Sequence, residues 1–216
     1  KRFGTNMKNN KFKIYGLVIF IATLVFIGVA VGVQTGYLDA FDDAVRYRVY
    51  SMRSDKLTAF WKFITHSGDR YVVILLGVIL LLMKSLREKY GVKFAIAALS
   101  STALYQIMKY IFQRPRPDLA LRLIEQGGYS FPSGHSMNCL VSYGILIYLL
   151  LKYCENRRLA KILSVGLGLL TILIGFSRVY VGVHYPTDII GGWSLGIAVL
   201  VAMIYVFEKF DSRSEG

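Results

Sequence analysis

The chain has 216 residues, 55% of them hydrophobic, with a net charge of +13 and a mean hydropathy of +0.48. A soluble single-core domain does not need that much apolar sequence, so a bilayer is the expected solvent for most of it. The 26 Lys and Arg residues sit in short clusters between apolar runs rather than along one polar face, which argues against a nucleic-acid partner.

From the N-terminus, KRFGTNMKNNKFK is basic and leads into an apolar run without a small-residue cleavage site. It is therefore expected to be an uncleaved anchor, with residues 1–6 read as a remnant ahead of Met7. Apolar runs long enough to cross a bilayer lie at roughly 14–33, 71–86, 93–112, 136–152, 159–177 and 188–207. They predict an all-α integral membrane protein with six transmembrane helices in one domain over residues 1–216, without repeat or linker. Between the first two runs, in the 34–70 loop, Phe41, Val45, Val49 and Met52, then Leu57, Phe60, Trp61 and Ile64, recur at helical spacing among charges. This predicts one or two amphipathic helices lying in the interface, and both a packing role and a role in admitting lipid stay open.

With the N-terminus inside, the inner segments carry 15 basic residues and the outer ones 10. The positive-inside rule then makes both termini cytoplasmic and puts the loops 34–70, 113–135 and 178–187 outside. The two cysteines, Cys139 and Cys154, would stand about 22 Å apart on one helix, too far to pair. The Gly28–Gly32 and Gly192–Gly196 spacings predict close helix packing.

Three polar segments share the expected outer face. In KYIFQRPRP (109–117), Lys109 is the charged residue inside an apolar run, and such a charge faces a cavity or partner rather than lipid. Arg116 follows two turns later, and Pro115 and Pro117 stiffen the exit. Arg114 is well placed too. In FPSGHS (131–136), Ser133 is a helix cap, Gly134 leaves the first amides uncovered as an anion site, and His135 stands in the first turn. In SRVYVGVHYPTD (177–188), Arg178 offers a planar fork to phosphate oxygens. His184 lies four residues before Asp188, a carboxylate able to fix the ring tautomer and leave the other nitrogen as nucleophile or base. Taken singly, a snorkelling lysine, an interfacial histidine and a capping aspartate explain each segment. Taken together, three cations, two histidines and a carboxylate on one face point to a phosphate monoester or diphosphate site. The third histidine, His66, belongs to no motif and reads as structural or at most substrate-adjacent.

Lys109 with six residues to Arg116-Pro117, then Pro132-Ser133-Gly134-His135, then Ser177-Arg178 with five residues to His184 and three more to Asp188, resembles the complete three-part signature of the type 2 phosphatidic acid phosphatase superfamily. The bacterial phosphatidylglycerophosphatase and undecaprenyl-diphosphate phosphatase branch is the most similar in layout. The resemblance implies a multi-pass enzyme of the bacterial plasma membrane with its active site at the outer face. His184 would be the nucleophile that forms a phosphohistidine, Asp188 its orienting group, and His135 the proton donor to the leaving group. Lys109, Arg116, Ser133, Gly134 and Arg178 would hold the phosphoryl oxygens. No metal or other cofactor is expected, the partner is a lipid phosphate or diphosphate in the membrane, and the sequence leaves the oligomeric state open. Two rivals stand: a non-catalytic lipid-phosphate binder or transporter, which needs the cations but no nucleophile, and a relative of the vanadate haloperoxidases, which use the same kind of oxyanion pocket.

Overall fold

The computed structural model describes residues 2–214, with side chains for residues 11–212. The remnant expected at residues 1–6 lies outside the described side chains. Among the described residues the chain is helical and forms no strand. The helices are α1 (Arg2–Gln34), α2 (Asp39–Ser51), α3 (Asp55–His66), α4 (Arg70–Leu82), the single turn α5 (Lys84–Leu86), α6 (Val92–Phe112), α7 (Gly134–Tyr153), α8 (Arg157–Tyr180) and α9 (Pro186–Ser214). A π-helical turn, Arg87–Gly91, joins α5 to α6, and a 3₁₀ turn, Leu119–Leu121, lies in the loop before α7.

Four of these, Lys11–Gln34, Gly134–Tyr153, Arg157–Tyr180 and Pro186–Ser212, are each long and apolar enough to cross a membrane. The pair α3 and α4, bent by 42° at their junction, passes the same test when taken as one segment. The chain is thus a multi-pass membrane protein. The 21-residue α6 coincides with the expected third run, but its Ser100, Ser101, Thr102, Gln106 and Lys109 dilute its apolar character. The run expected over 71–86 is not one helix. It stops at Leu82, Met83 leaves helical backbone with ψ 103°, and Arg87 Nε donates to Leu81 O at 2.8 Å. The cause is the KSLREK segment, whose charges cannot follow Leu82 deeper into hydrocarbon.

Helix α7 is the axis of the bundle, with α6, α8 and α9 packed around it, while α1 lies along α9. Its buried Val141, Ile145 and Leu149 meet Phe94 and Ala97 of α6 and Phe207 of α9. Residues such as Phe20, Ile74, Leu99, Ile107, Val165 and Leu169 face outward and are exposed, as lipid-contacting positions are in a helical membrane protein. The amphipathic stretch forms two helices, α2 against α8 and α9, and α3 against α8. Val49 and Ile64 are buried there, whereas Phe41, Met52, Leu57 and Phe60 stay exposed.

The glycine spacings divide. A Cβ on Gly192 would stand 2.8 Å from Ser133 O and one on Gly196 3.2 Å from Leu140, so this pair does let α9 approach α7 closely. The Gly28–Gly32 pair does not join two helices. Gly28 has open space around it, and Gly32 leaves room for the Leu38 side chain as the chain turns out of α1.

Candidate active site

The three polar segments converge because each stands where a helix begins or ends on one side of α7. Lys109 lies in the last turn of α6, which Gln113 terminates in left-handed backbone at φ 45°. Ser133 caps α7, accepting from Ser136 N at 3.3 Å, so His135 falls in the first turn as expected. Arg178 ends α8 and Asp188 opens α9, and the turn between them carries His184. That turn needs Gly182, whose φ of 80° and contact with Leu121 O exclude a side chain. Arg53 clamps it from outside, donating to Tyr180 O and Leu121 O.

These elements enclose a cavity of about 500 Å³, lined among others by Asp69, Lys109, Arg116, Gly134, His135 and His184. His184 is almost fully buried. Its Nδ1 lies 3.0 Å from Asp188 Oδ2 and its Nε2 3.1 Å from Arg116 Nη1. A guanidinium and a carboxylate on opposite sides fix the tautomer: Nδ1–H donates to Asp188, and Nε2 keeps its lone pair toward Arg116. Burial first, and then Arg116, Lys109 and Arg178, hold the His184 pKa well below its ordinary value, so the ring is neutral at pH 7. A neutral imidazole is a competent nucleophile once its Nε2 lone pair is released by Arg116.

The three cations of the signature share one property. Lys109 Nζ donates to Tyr129 O and Ser130 O. Arg116 donates to Gly127 O, Gly128 O and Val183 O as well as to His184. Arg178 donates to Thr65 Oγ1 at 2.7 Å and Gln126 Oε1 at 2.8 Å, and its Nε has no partner among the described residues. Every acceptor is neutral, so their charges are oriented without being cancelled. Burial lowers the Arg116 pKa to about 10, against the pull of Asp188, and the guanidinium is charged at pH 7.

Arg114 is different. It bridges Asp188 Oδ1 at 2.8 Å and Asp42 Oδ2 at 2.7 Å, so it is held by two carboxylates and supports the histidine's partner rather than facing the cavity. Asp42, buried on α2, also accepts from Thr187 N at 2.9 Å and Thr187 Oγ1 at 2.6 Å. Ser133 is also fully buried; its hydroxyl accepts from Ser136 and its amide donates to Asp188 O at 3.0 Å. His135 Nε2 lies 2.9 Å from Asp69 Oδ1, and His66 Nδ1 lies 2.8 Å from Asp69 Oδ2. Sequence reasoning named neither Asp42 nor Asp69, nor Thr65 and Gln126 beside Arg178. They come from outside the three motifs, and no spacing ties them to residues dozens of positions away. Among the described residues no group of three or more His, Cys, Asp or Glu side chains is arranged to hold a metal ion.

Comparison with known proteins gives this chain named relatives. The model of the PAP2 superfamily matches residues 90–212, which span all three polar segments. Phosphatidylglycerophosphatase B of Bacillus subtilis (strain 168) is 30% identical over 88% of this chain and 93% of its own length. Undecaprenyl-diphosphatase of Sulfolobus acidocaldarius is 34% identical over 65% of this chain and 66% of its own. The crystal structure of a transmembrane PAP2 type phosphatidylglycerolphosphate phosphatase from Bacillus subtilis superposes with a TM-score of 0.80 at 28% identity, covering 88% of this chain and 96% of that one. With the family model covering more than half of the chain and the bundle shared almost from end to end, the chain belongs to the PAP2 superfamily.

Proposed function

We propose that this protein is a membrane lipid phosphatase that hydrolyses a phosphate monoester or diphosphate through a phosphohistidine on His184, without a metal. The observation that carries the reading is the set of three buried or half-buried cations, Lys109, Arg116 and Arg178, oriented around His184 by neutral acceptors alone. Uncompensated charge at such depth is destabilising by several kcal/mol per ion, of order, unless an anion completes the site. A phosphoryl group carries the matching charge and geometry.

In the first step the Nε2 lone pair of His184 forms a bond to phosphorus and the bond from phosphorus to the leaving oxygen breaks. Asp188 stabilises the ring as it becomes cationic, and His135 supplies the proton to the departing lipid oxygen. Water then attacks phosphorus, gives its proton to His135, and the electron pair of the P–N bond returns to His184. The cations, with the Gly134 amide, hold the oxygens as charge redistributes. The hydroxyl of Ser133 acts chiefly through the α7 cap.

The substrate class is that of the relatives' names, phosphatidylglycerol phosphate or undecaprenyl diphosphate, with the headgroup in the cavity and the tail in the bilayer. Six crossings by α1, α4, α6, α7, α8 and α9, cytoplasmic termini and a site at the outer face of a bacterial plasma membrane complete the reading. Single cysteines at 122–128 and at 87–91 test that orientation: only the first set is expected to label from outside, and labelling of only the second inverts it.

The function is tested by phosphate release from purified protein in detergent with excess chelator, offering undecaprenyl diphosphate, phosphatidylglycerol phosphate and phosphatidic acid, with His184→Ala as control. Turnover that persists with chelator and vanishes in the variant is the expected result. Binding without turnover on any of the three would establish a lipid-phosphate binder instead. Turnover abolished by chelator and restored by a divalent ion would refute the metal-independent scheme.

A further inference from the structure

We infer that Asp69 is the positioning residue of His135, so that the site is built from two carboxylate–histidine pairs, Asp188 with His184 and Asp69 with His135. The inference rests on the reading of His135 as proton donor and deepens it. Asp69 lies in the turn between α3 and α4, far from the signature in sequence, and its Oδ1 stands 2.9 Å from His135 Nε2.

The juxtaposition is held by the same helix that carries the histidine. Tyr143 of α7 donates to Ser67 O at 2.8 Å, and the Cys139 thiol, also on α7, points at Gly68 O at 3.6 Å. Gly68 is pressed onto α7 and α8 so closely that a Cβ there would stand 2.7 Å from Ile174 and 3.1 Å from Cys139 Sγ. The second carboxylate oxygen is tethered by His66 at 2.8 Å. Both oxygens of Asp69 therefore have fixed partners.

A carboxylate on Nε2 does two things for an acid–base histidine. It makes Nε2–H the donor, which leaves Nδ1, with no partner among the described residues, as the atom that exchanges protons. It also supplies a negative charge to a ring in the field of Arg178 and Arg116, favouring the imidazolium that must be present before the leaving group departs. In the first half-reaction the Nδ1 proton goes to the leaving oxygen while Nε2–H stays on Asp69; in the second, Nδ1 takes the proton of the attacking water. The cycle returns the proton it used, so no shuttle to solvent is required, and the exposed His66 serves as a tether for the carboxylate.

The test measures kcat and KM of the full chain in detergent on its lipid substrate and on an aryl phosphate, whose leaving group needs little protonation. His135→Ala is expected to lose kcat on the lipid by about 10²-fold or more and far less on the aryl ester. Asp69→Asn is expected to show the same split with KM little changed and a loss of roughly 10-fold to 100-fold on the lipid. Asp69→Glu, which keeps the charge, is expected to recover part of it. Asp69→Ser serves in place of Asp69→Asn should the amide variant not be recovered folded. Equal losses on both substrates, or none, in the Asp69 variants while His135→Ala keeps its split would overturn the role of Asp69 alone. Equal losses in His135→Ala would overturn the acid role and the inference with it, and undiminished turnover in His184→Ala would instead overturn the proposed nucleophile.

Discussion

Removal of the Asp42 carboxylate is the sharpest probe of how the site is held. Asp42 is 1% exposed and receives three hydrogen bonds, two from Thr187 and one from Arg114. Each bond to a buried charged group is worth about 1.5–3 kcal/mol net. They share one carboxylate and Arg114 retains Asp188, so the contributions are not additive and Asp42→Ala is expected to destabilise by roughly 3 kcal/mol. For a chain of this size that corresponds to a melting temperature lower by about 6–12 °C. Asp42→Asn, which keeps one acceptor oxygen, is expected to lose less. Both variants let Arg114 shift toward Asp188, so kcat is expected to fall about 10-fold in Asp42→Ala as the His184 ring loses its fixed partner. A thiol-reactive dye reads the unfolding, because Cys139 is fully buried; a Cys154→Ser background removes the half-buried second thiol. An Asp42→Ala protein that melts within about 1 °C of the parent and turns over normally would refute the argument that α2 holds Asp188 in place.

Other outcomes follow from the same geometry. Folded His184 resists protonation while the unfolded ring takes a proton near its ordinary value of about 6.5. The unfolded state then binds more protons, so stability is expected to fall as pH drops below that value; His184→Gln should flatten the decline in thermal scans, and an unchanged slope would contradict the assignment. Arg116→Lys keeps a charge but cannot reach Gly127, Gly128, Val183 and His184 together, so kcat/KM on the lipid is expected to fall by about 10²-fold, and near-normal kinetics would reduce Arg116 to a surface charge. Gly192→Val drives a branched side chain against Ser133 O, and a loss of about 1–3 kcal/mol should appear in the same dye assay; a neutral result would mean that α9 can back away from α7 without loss.

Much of the bundle was legible because apolar periodicity and charge punctuation are local. The runs at 93–112, 136–152, 159–177 and 188–207 fall within α6, α7, α8 and α9 to within a few residues, apart from the C-terminal extension of α9. The run at 71–86 misled because hydropathy averages over a window, whereas a helix ends at a particular residue; Lys84, Arg87 and Glu88 could not follow Leu82. Gly28 and Gly32 misled for a related reason. Two glycines four apart permit a close approach but do not supply the helix that makes it. In the site, the pairing of His184 with Asp188 was readable, since four residues across a helix start leave few other geometries. Asp42 and Asp69 were not, because nothing local distinguishes Asp42 from Asp39 and Asp43 on the same helix.

Arg114 shows why a count of cations does not identify a phosphate site. In the sequence Arg114 and Arg116 are neighbours around one proline; only Arg116 falls in the signature, although Arg114 is placed as well for an anion. In the fold the stiff X-Pro-X-Pro segment sends their side chains to different partners. Arg114 meets Asp42 and Asp188, with a separation of 2.7 and 2.8 Å, and its charge is matched before any substrate arrives. Arg116 meets three carbonyl oxygens and a neutral imidazole, and its charge is not. A carbonyl orients a guanidinium as well as a carboxylate does but leaves its field intact for a ligand. Around His184 the formal charge of the acceptors therefore separates Arg114 from Lys109, Arg116 and Arg178. On the proposed function Lys109, Arg116 and Arg178 would hold the phosphate and Arg114 the partner of His184, which is the division that the Asp42 and Arg116 variants measure.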